Sequence, residues 1–292
     1  MRLIGWSISM SLAMSLGLCS APSQLSPQPP PLPPTMQYQK QELSQATVHV
    51  LRIPNHPRYT VRLDVVDGLQ TVVDFAQSTP KPVAVINGGY FDPANQLTTS
   101  DIRRGGPILA DPTQNSRLVD NPDLKTYLPK ILNRSEFRQY QCGDKTTYAI
   151  TLYNQPIPPD CTLSYALGAG PQLLPQLTSQ AEGFTDSVDG QVIRDAIGSR
   201  QPNARSAVGI TDKGDVIWML VEQQSATKPG LSLPELADFM EQQGAVSALN
   251  LDGGSSSSLV YQDQVITGKS LQGEPLLRPV KSVLMVLENA PK

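Results

Sequence analysis

Alternating apolar and polar residues predict a chain made mainly of short strands. Val61, Leu63 and Val65 alternate with polar neighbours in residues 59–66, which is typical of a half-buried strand. Similar runs are residues 46–53, 82–86, 146–153, 163–167, 206–210, 216–221, 245–251, 259–262, 265–267 and 279–287. The turn residues Asp212-Lys213-Gly214-Asp215 separate two of these runs and therefore predict a hairpin.

Two stretches have the pattern of a helix. Apolar residues recur at helical spacing in residues 232–243, where Ser232 can cap the start and Gly244 lies just past the end. Residues 69–76 are expected to form a short helix, whereas residues 101–137 show little periodicity and predict loop. These elements predict an α+β fold, with mixed, twisted β-sheets and a few packed helices in a single large domain.

The start of the chain is expected to lie outside that domain. Residues 1–21 combine a basic start, an apolar stretch and small residues at the end, which is the pattern of a secretory signal peptide. Residues 22–37 are rich in proline and predict an extended linker, so the domain is expected to span residues 38–292. The mature chain should be periplasmic or secreted, without a membrane span. A lipid-modified Cys19 and a retained membrane anchor are the alternatives.

Composition narrows the chemistry. The 292 residues are 39% hydrophobic and 17% charged, as in ordinary globular proteins. The net charge is -3 and no basic patch stands out, so nucleic acid is not an expected partner. The two histidines, His49 and His56, both lie near the start of the domain, which argues against a Ser-His-Asp triad or a multi-histidine zinc site. Carboxylates are therefore the remaining candidates for general acid–base catalysis.

Two cysteines, Cys142 and Cys161, remain once the leader is removed. An even pair in a chain that has the pattern of an exported protein predicts a disulfide. Closing a loop of this length should stabilise the protein by roughly 3 kcal/mol. A catalytic cysteine is the alternative, but no histidine lies nearby in the sequence to activate its thiol.

The first candidate site follows the strand at 245–251. Asn250 and Asp252 project from the same face, because side chains repeat every two residues along a strand. Glycines after that strand can expose backbone N–H groups to an anion, and serines add short donors. The residues concerned are Gly253, Gly254, Ser255 and Ser256. The alternative is a hairpin turn followed by a polar run.

Further candidates also lie where apolar runs end. One run leads into Asn87, Gly88, Gly89 and Tyr90, and another into a turn that contains Gly170. An aromatic ring and amide groups are suited to binding a sugar. The alternative is that both segments are simple turns. Arg205 precedes the first strand of the predicted hairpin and Glu222 follows the second, so both lie at its open end. Arg205 can grip a phosphate, or the two residues can form only a salt bridge.

Six ordered segments resemble the motifs of the phosphodiester glycosidase family. They are Asn87-Gly88-Gly89-Tyr90-Phe91, Gly168-Ala169-Gly170-Pro171, Arg205-Ser206-Ala207-Val208-Gly209, Leu231-Ser232-Leu233, Asn250-Leu251-Asp252-Gly253-Gly254-Ser255-Ser256 and Arg278-Pro279-Val280. The resemblance covers roughly residues 83–287. It departs from the family at the serines after Gly254, where many members carry a third glycine and a threonine, and at residues 111–161, which match nothing and read as an insertion.

The resemblance implies hydrolysis of a sugar-1-phosphodiester, with a GlcNAc-like sugar, in a glycoconjugate or envelope polysaccharide. A glycosidase usually needs two carboxylates, and Asp252 and Glu222 are the candidates. Arg205 would hold the phosphate together with the turn at residues 253–256. The substrate-binding set would comprise Asn87, Gly88, Gly89, Tyr90, Gly170, Asn250, Gly253, Gly254, Ser255 and Ser256.

No cofactor is expected, but a divalent cation is possible. A metal-assisted phosphodiesterase would use Asp252, Glu222 and Asn250 as oxygen ligands and attack phosphorus. A non-catalytic glycopolymer-binding envelope protein is the second alternative, in which the same pocket serves recognition alone.

Overall fold

The structure is a computed structural model that describes residues 34–270 and 274–290. The predicted signal peptide and residues 22–33 of the predicted linker lie outside these described residues. Within them the strands are β1 (Gln37–Glu42), β2 (Thr47–Ile53), β3 (Tyr59–Gln70), β4 (Ala84–Asn87), β5 (Ile102–Arg104), β6 (Ile108–Ala110), β7 (Ser135–Cys142), β8 (Lys145–Leu152), β9 (Cys161–Gly168), β10 (Gln172–Leu174), β11 (Thr185–Val188), β12 (Gln191–Asp195), β13 (Arg205–Thr211), β14 (Val216–Glu222), β15 (Ala245–Asn250), β16 (Ser258–Tyr261), β17 (Gln264–Thr267) and β18 (Val280–Glu288).

The helices are short. They are α1 (Val72–Ala76), α2 (Ser116–Val119), α3 (Leu128–Ile131) and α4 (Leu233–Gln242), with 3-10 turns at Pro112–Gln114, Pro122–Leu124 and Gly254–Ser256. The predicted helix at residues 232–243 is confirmed as α4. It begins with a capping box, in which the Ser232 hydroxyl accepts from the Glu235 backbone and the Glu235 carboxylate accepts from the Ser232 backbone.

Three antiparallel sheets carry the fold. Sheet I has the strand order β1-β2-β14-β13-β15-β10, sheet II has β17-β16-β4-β18-β3, and sheet III has β6-β5-β9-β7-β8. Strands β11 and β12 form a separate two-stranded hairpin. Every named strand pair in the described part of the chain is antiparallel. The predicted hairpin between β13 and β14 is confirmed, with Ile210 opposite Val216.

The main core lies between sheets I and II. Side chains alternate along β14, so that Trp218 points into this core while Met219 points to the opposite face. Helix α4 covers that opposite face of sheet I through Leu236, and α1 covers the outer face of sheet II through Phe75. The order of layers is therefore α4, sheet I, sheet II and α1, and sheet III adds Phe137 to the main core.

The predicted α+β class is wrong. The described part of the chain is mostly β, with 46% of its residues in strands and 13% in helices, and its sheets are antiparallel rather than mixed. Residues 101–137, predicted as loop, contain β5, β6, α2 and α3. These elements are three or four residues long, and a period cannot show over so few residues. Strand β5 is held in place by pairing with the distant strand β9, in which Leu167 lies opposite Ile102.

The predicted disulfide is confirmed. Cys142 and Cys161 are bonded and lie opposite each other on the neighbouring strands β7 and β9, with their Cα atoms 4.1 Å apart. The bond closes a loop with a sequence separation of 19 residues. It therefore joins the start of β9 to the end of β7 and encloses β8.

Removing this disulfide should weaken the fold without touching the site. We expect the double variant Cys142→Ser, Cys161→Ser to lose about 3 kcal/mol of unfolding free energy in urea titrations, because the unfolded chain gains the freedom of the opened loop. Wild-type protein treated with dithiothreitol is the control and should lose the same amount. Equal stability of variant and oxidised wild type would contradict the prediction.

Candidate active site

Strand ends from two sheets meet at one end of the sandwich. Strand β4 of sheet II ends at Asn87, β15 of sheet I ends at Asn250, and β13 begins at Arg205. The backbone N–H of Asp252 donates to the carbonyl of Gly88 over 3.0 Å. The two strongest sequence motifs are therefore in direct contact, although they lie far apart along the chain.

Asn87 joins the two sheets and is fully buried. Its amide nitrogen donates to the carbonyl of Asp252 at 2.6 Å. Its amide oxygen accepts from the Ser206 hydroxyl at 2.7 Å and from the backbone of Ser258 at 3.1 Å. These bonds hold the backbone of Asp252 in place. The predicted contact of Asn87 with a sugar stays a prediction.

Asn250 connects Tyr90 to the turn that contains Gly170. Its amide nitrogen lies 2.6 Å from the Tyr90 hydroxyl and 3.1 Å from the carbonyl of Gly170. The Tyr90 hydroxyl donates to the same carbonyl over 2.8 Å. The amide oxygen of Asn250 is buried without a hydrogen-bond partner among the described residues. A buried acceptor without a partner carries a desolvation cost that a donor on a ligand could remove.

Asp252 has a strongly perturbed carboxyl. Burial raises its pKa to about 6, although a hydrogen bond from the Ser256 side chain, the charge of Arg278 and the backbone of Gly253 act in the opposite direction. The residue is nevertheless partly exposed, so a ligand can reach it. A carboxyl group with these properties changes charge near neutral pH, as groups in active sites often do.

Most backbone donors of the glycine–serine turn are already used. The N–H of Gly253 bonds to the Asp252 carboxyl, and that of Gly254 donates to the carbonyl of Ala204 at 2.8 Å. The N–H of Ser256 donates to the carbonyl of Gly253 at 3.1 Å. The turn supports the Asp252 carboxyl, and its predicted role in holding phosphate stays a prediction.

Arg205 lies in this region but is only 2% exposed. Its Nε donates to the carbonyl of Leu231 at 3.1 Å and its Nη1 to that of Ile197 at 3.1 Å. Its Nη2 donates to the carbonyls of Gly198 and Gln201 at 2.7 and 2.9 Å. Four of its five N–H donors are thus occupied by backbone carbonyls. Its predicted phosphate contact stays a prediction that would require these bonds to break.

Glu222 ends β14 at the same end of sheet I as Arg205, but its carboxylate contacts other side chains. It contacts Nε2 of His49 on β2 and accepts from the side chain of Gln224 at 2.7 Å. His49 Nδ1 lies 2.7 Å from the Tyr38 hydroxyl. Strand β13 lies between β14 and β15, which separates Glu222 from Asp252 by two strand spacings, about 10 Å. The structure does not bring the two predicted carboxylates into contact.

Two arginines near the site were not among the predicted site residues. Arg278 donates through Nη1 to the Ser255 hydroxyl at 2.8 Å, and its guanidinium carbon lies 5.6 Å from the centroid of the Phe91 ring. The guanidinium carbon of Arg134 lies 3.6 Å from the Phe184 ring centroid. The motif Arg278-Pro279-Val280 already pointed to the first. No pattern marks the second, which lies in the stretch predicted as loop.

Gly88 and Gly89 allow close backbone contacts. A Cβ atom on Gly88 would lie 2.5 Å from the Ser282 hydroxyl, and one on Gly89 would lie 2.3 Å from the carbonyl oxygen of Gly168. These distances are far below van der Waals contact. The two glycines therefore have a packing role, and their predicted contact with substrate stays a prediction.

Comparison with known proteins identifies the family. The family model described as phosphodiester glycosidase matches residues 80–287, which is more than two thirds of the chain. The chain belongs to the phosphodiester glycosidase family. This confirms the resemblance drawn from the motifs.

Curated relatives support the same assignment. N-acetylglucosamine-1-phosphodiester alpha-N-acetylglucosaminidase from Mus musculus is 43% identical over 58 residues, and the Homo sapiens protein is 38% identical over 58 residues. The matched part is 20% of this chain and 11% of each relative, so the chain matches about a tenth of their length.

Solved structures share the fold of this chain. The catalytic domain of the zebrafish N-acetylglucosamine-1-phosphodiester alpha-N-acetylglucosaminidase, auto-inhibited by its pro-peptide, has a TM-score of 0.63 at 16% identity, covering 88% of this chain and 85% of the other. A hypothetical protein from Synechocystis has a TM-score of 0.58 at 19% identity, covering 87% and 62%.

Two further features concern membranes and metals. Within 34–270 and 274–290, no helix is long and apolar enough to cross a membrane. In the same residues, no group of three or more His, Cys, Asp or Glu side chains is arranged to hold a metal ion.

The surroundings of Glu222 predict a role in stability. Burial raises its pKa, but hydrogen bonds with His49 and Gln224 outweigh this effect and lower the pKa overall. We expect Glu222→Gln to lose about 1–3 kcal/mol of unfolding free energy at pH 7. A carboxyl whose pKa is lower in the folded state than the unfolded value of 4.5 stabilises the fold at pH values above 4.5. The loss of unfolding free energy in Glu222→Gln should therefore shrink as the pH falls below 4.5.

Urea unfolding at several pH values, together with turnover of the same samples, tests this prediction. The matched control is Glu241→Gln on the exposed face of α4, which should change neither quantity. We expect Glu222→Gln to keep turnover within a few-fold. A hundredfold loss of turnover at unchanged stability would instead support the catalytic role.

Proposed function

We propose that this protein hydrolyses the glycosidic bond of a sugar-1-phosphodiester with a GlcNAc-like sugar. The observation that carries the proposal is the Asp252 carboxyl, whose pKa burial raises to about 6, in a region where the charge of Arg278 acts on it without forming an ion pair. Family membership and the names of the curated relatives support the same reaction. The substrate would be a glycoconjugate or envelope polysaccharide outside the cytoplasm.

The leaving group explains why one carboxylate suffices. Cleavage at the anomeric carbon releases a phosphate monoester, whose second pKa is about 6, so it departs with little help from an acid. The site must then bind an anion and provide one negative charge beside the anomeric carbon. Asp252 would provide that charge, either by activating water or by stabilising the positive charge that develops on the sugar.

Arg278 is the group that we assign to the scissile phosphate. It has no carboxylate ion pair among the described residues, and only Nη1 makes a hydrogen bond, to Ser255. The guanidinium lies over the Phe91 ring, which restricts its orientation. Bidentate binding of a phosphate by arginine would use the free Nη2 and Nε donors.

Asn250 is the group that we assign to the sugar. Its amide oxygen is buried without a partner among the described residues, and it would accept a hydrogen bond from a sugar hydroxyl or an N-acetyl N–H once the chain around it opened. Tyr90 holds the Asn250 amide nitrogen at 2.6 Å and thereby orients the oxygen.

Isotope labelling tests the proposal against its alternatives. Purified protein would be assayed on GlcNAc-1-phosphodiesters and on diesters of other sugars, in 18O-labelled water, with and without EDTA. We expect release of sugar that carries the label, unaffected by EDTA. Label in the phosphate with loss of activity in EDTA would identify a metal-assisted phosphodiesterase. Tight glycan binding without product would identify a binding protein.

A further inference from the structure

Arg134 is a cation near the site without a full set of partners. It lies between α3 and β7, and its Nε donates to the carbonyl of Glu182 at 3.2 Å. Its guanidinium carbon lies 3.6 Å from the Phe184 ring centroid. In the part of the chain that the structure describes, neither Nη1 nor Nη2 has a hydrogen-bond partner and no carboxylate forms an ion pair with it.

Other buried arginines of the protein are compensated. Arg103 and Arg138 both contact the carboxylate of Glu136, at 2.6 and 2.7 Å. Arg205 has its four carbonyl partners. Burial lowers the pKa of Arg134 to about 10, which reflects the cost of a desolvated charge without a counter-ion. At neutral pH the guanidinium is still charged, so an anion that bound there would remove this cost.

Glu182, the carboxylate whose charge acts on Arg134, is not available to provide that anion. The charge of Glu182 acts on Arg134, but its oxygens are engaged elsewhere. They accept from the backbone and hydroxyl of Ser135 at 2.8 Å each, from the backbone of Gln172 at 3.0 Å, and from the Thr178 hydroxyl. Arg134 keeps some exposure, so a ligand from solvent can reach its free nitrogens.

Tyr90 connects Arg134 to the candidate active site. Its ring centroid lies 5.7 Å from that of Phe184, against which Arg134 packs. The charges of both Arg134 and Asp252 act on the Tyr90 hydroxyl, whereas Arg278 acts directly on Asp252. Besides Arg205, whose donors are occupied by carbonyls, the site therefore has two separate arginines, Arg134 beside Tyr90 and Arg278 beside Ser255.

We propose that Arg134 binds a second anionic group of the substrate, distinct from the scissile phosphate. The inference rests on the proposed function, because one phosphodiester carries a single negative charge, which Arg278 can neutralise. The second group would be a carboxylate on the sugar or a further phosphate in the neighbouring repeat of a polymer. Since Arg134 lies outside the six motifs that resemble the family, it would adapt this member to an acidic glycan.

Paired substrates test this inference. Turnover of Arg134→Gln would be measured on a GlcNAc-1-phosphodiester, on a uronic acid 1-phosphodiester, and on a GlcNAc-1-phosphodiester whose aglycone carries a second phosphate. We expect kcat/KM to fall about 10- to 100-fold on the doubly charged substrate that the protein prefers, and less than threefold on the singly charged one. Which doubly charged substrate shows the loss identifies the anion.

Three variants make the result specific. Arg134→Lys keeps the charge and should retain part of the preference, and its melting temperature reports whether the position tolerates change. Arg278→Gln is the matched control and should lower kcat/KM on all three substrates. If kcat/KM of Arg134→Gln fell by the same factor on all three substrates, Arg134 would be assigned to the scissile phosphate. If kcat/KM did not fall on any of them, Arg134 would have only a structural role. Either result overturns the inference.

A binding measurement separates this inference from the proposed function. Calorimetry with uronic acid 1-phosphate, GlcNAc 1-phosphate and a bisphosphorylated GlcNAc would compare the wild type with Arg134→Gln. If no diester is hydrolysed but a sugar phosphate with a second anionic group still binds at least tenfold more tightly to the wild type, only the proposed function fails. If turnover occurs and the sugar phosphates with a second anionic group gain nothing from Arg134, only this inference fails.

Discussion

Replacing Asp252 with Asn should lower kcat/KM on a GlcNAc-1-phosphodiester by at least about a thousandfold, because the variant keeps the shape of the side chain but loses its negative charge. In the wild type, kcat/KM should rise with pH and level off above about 6, where the Asp252 carboxyl is ionised. Steady-state kinetics from pH 4.5 to 8.5 measure both effects. The rise near pH 6 should be absent from any residual activity of the variant.

Stability separates loss of chemistry from loss of fold. The pKa of Asp252 is raised above its ordinary 3.8 in the folded protein, so ionisation of this group costs folding free energy as pH rises through about 6. The neutral Asp252→Asn variant avoids that cost and should be at least as stable as the wild type at pH 8. The matched control is Asp238→Asn on the exposed face of α4, which should keep full activity. Turnover by Asp252→Asn within tenfold of the wild type would contradict the assignment.

Replacing Gly89 with Ala should destabilise the protein by about 3 kcal/mol or more, with a parallel loss of active protein. The added Cβ would lie 2.3 Å from the carbonyl oxygen of Gly168 and 3.1 Å from the Cβ of Ser100. Backbone cannot rotate away as a side chain can, so the chain after β4 must move relative to the end of β9. That movement would also displace Tyr90, whose backbone N–H donates to the Ser100 hydroxyl at 3.1 Å.

A second glycine provides the control. Gly68 lies exposed in β3, and the nearest atom to an added Cβ is 3.7 Å away, in ordinary contact. We expect Gly68→Ala to change the unfolding free energy by less than about 1 kcal/mol. Urea titrations of both variants measure the difference. If Gly89→Ala were as stable as Gly68→Ala, the glycines of this motif would have to be explained by contact with substrate.

Local patterns predicted much of the secondary structure. The turn Asp212-Lys213-Gly214-Asp215 marked the β13–β14 hairpin, and Ser232 with Gly244 marked the limits of α4. Two remaining cysteines indicated the disulfide. Each of these depends on residues close in sequence or on a simple count, so a single sequence carries the information.

Long-range pairing decided the fold class. Strand β4 pairs with β16 and β18, which come from a much later part of the chain, as Leu284 does with Ile86. Periodicity shows that a strand is present but not which strand lies beside it. The expectation of mixed sheets in an α+β fold was wrong for this reason.

The site divides in the same way. The sequence alone determined the family, because its motifs occur in the same order as those of the family. It also singled out Asp252, Asn250, Asn87 and Arg205 as residues near one centre. Only the tertiary structure decided what each of them contacts. Hydrogen-bond partners and burial depend on residues far away in the chain. Arg205 is therefore held by backbone carbonyls, Glu222 by His49, and Arg134, from a stretch without a pattern, is left beside Tyr90 with two free nitrogens.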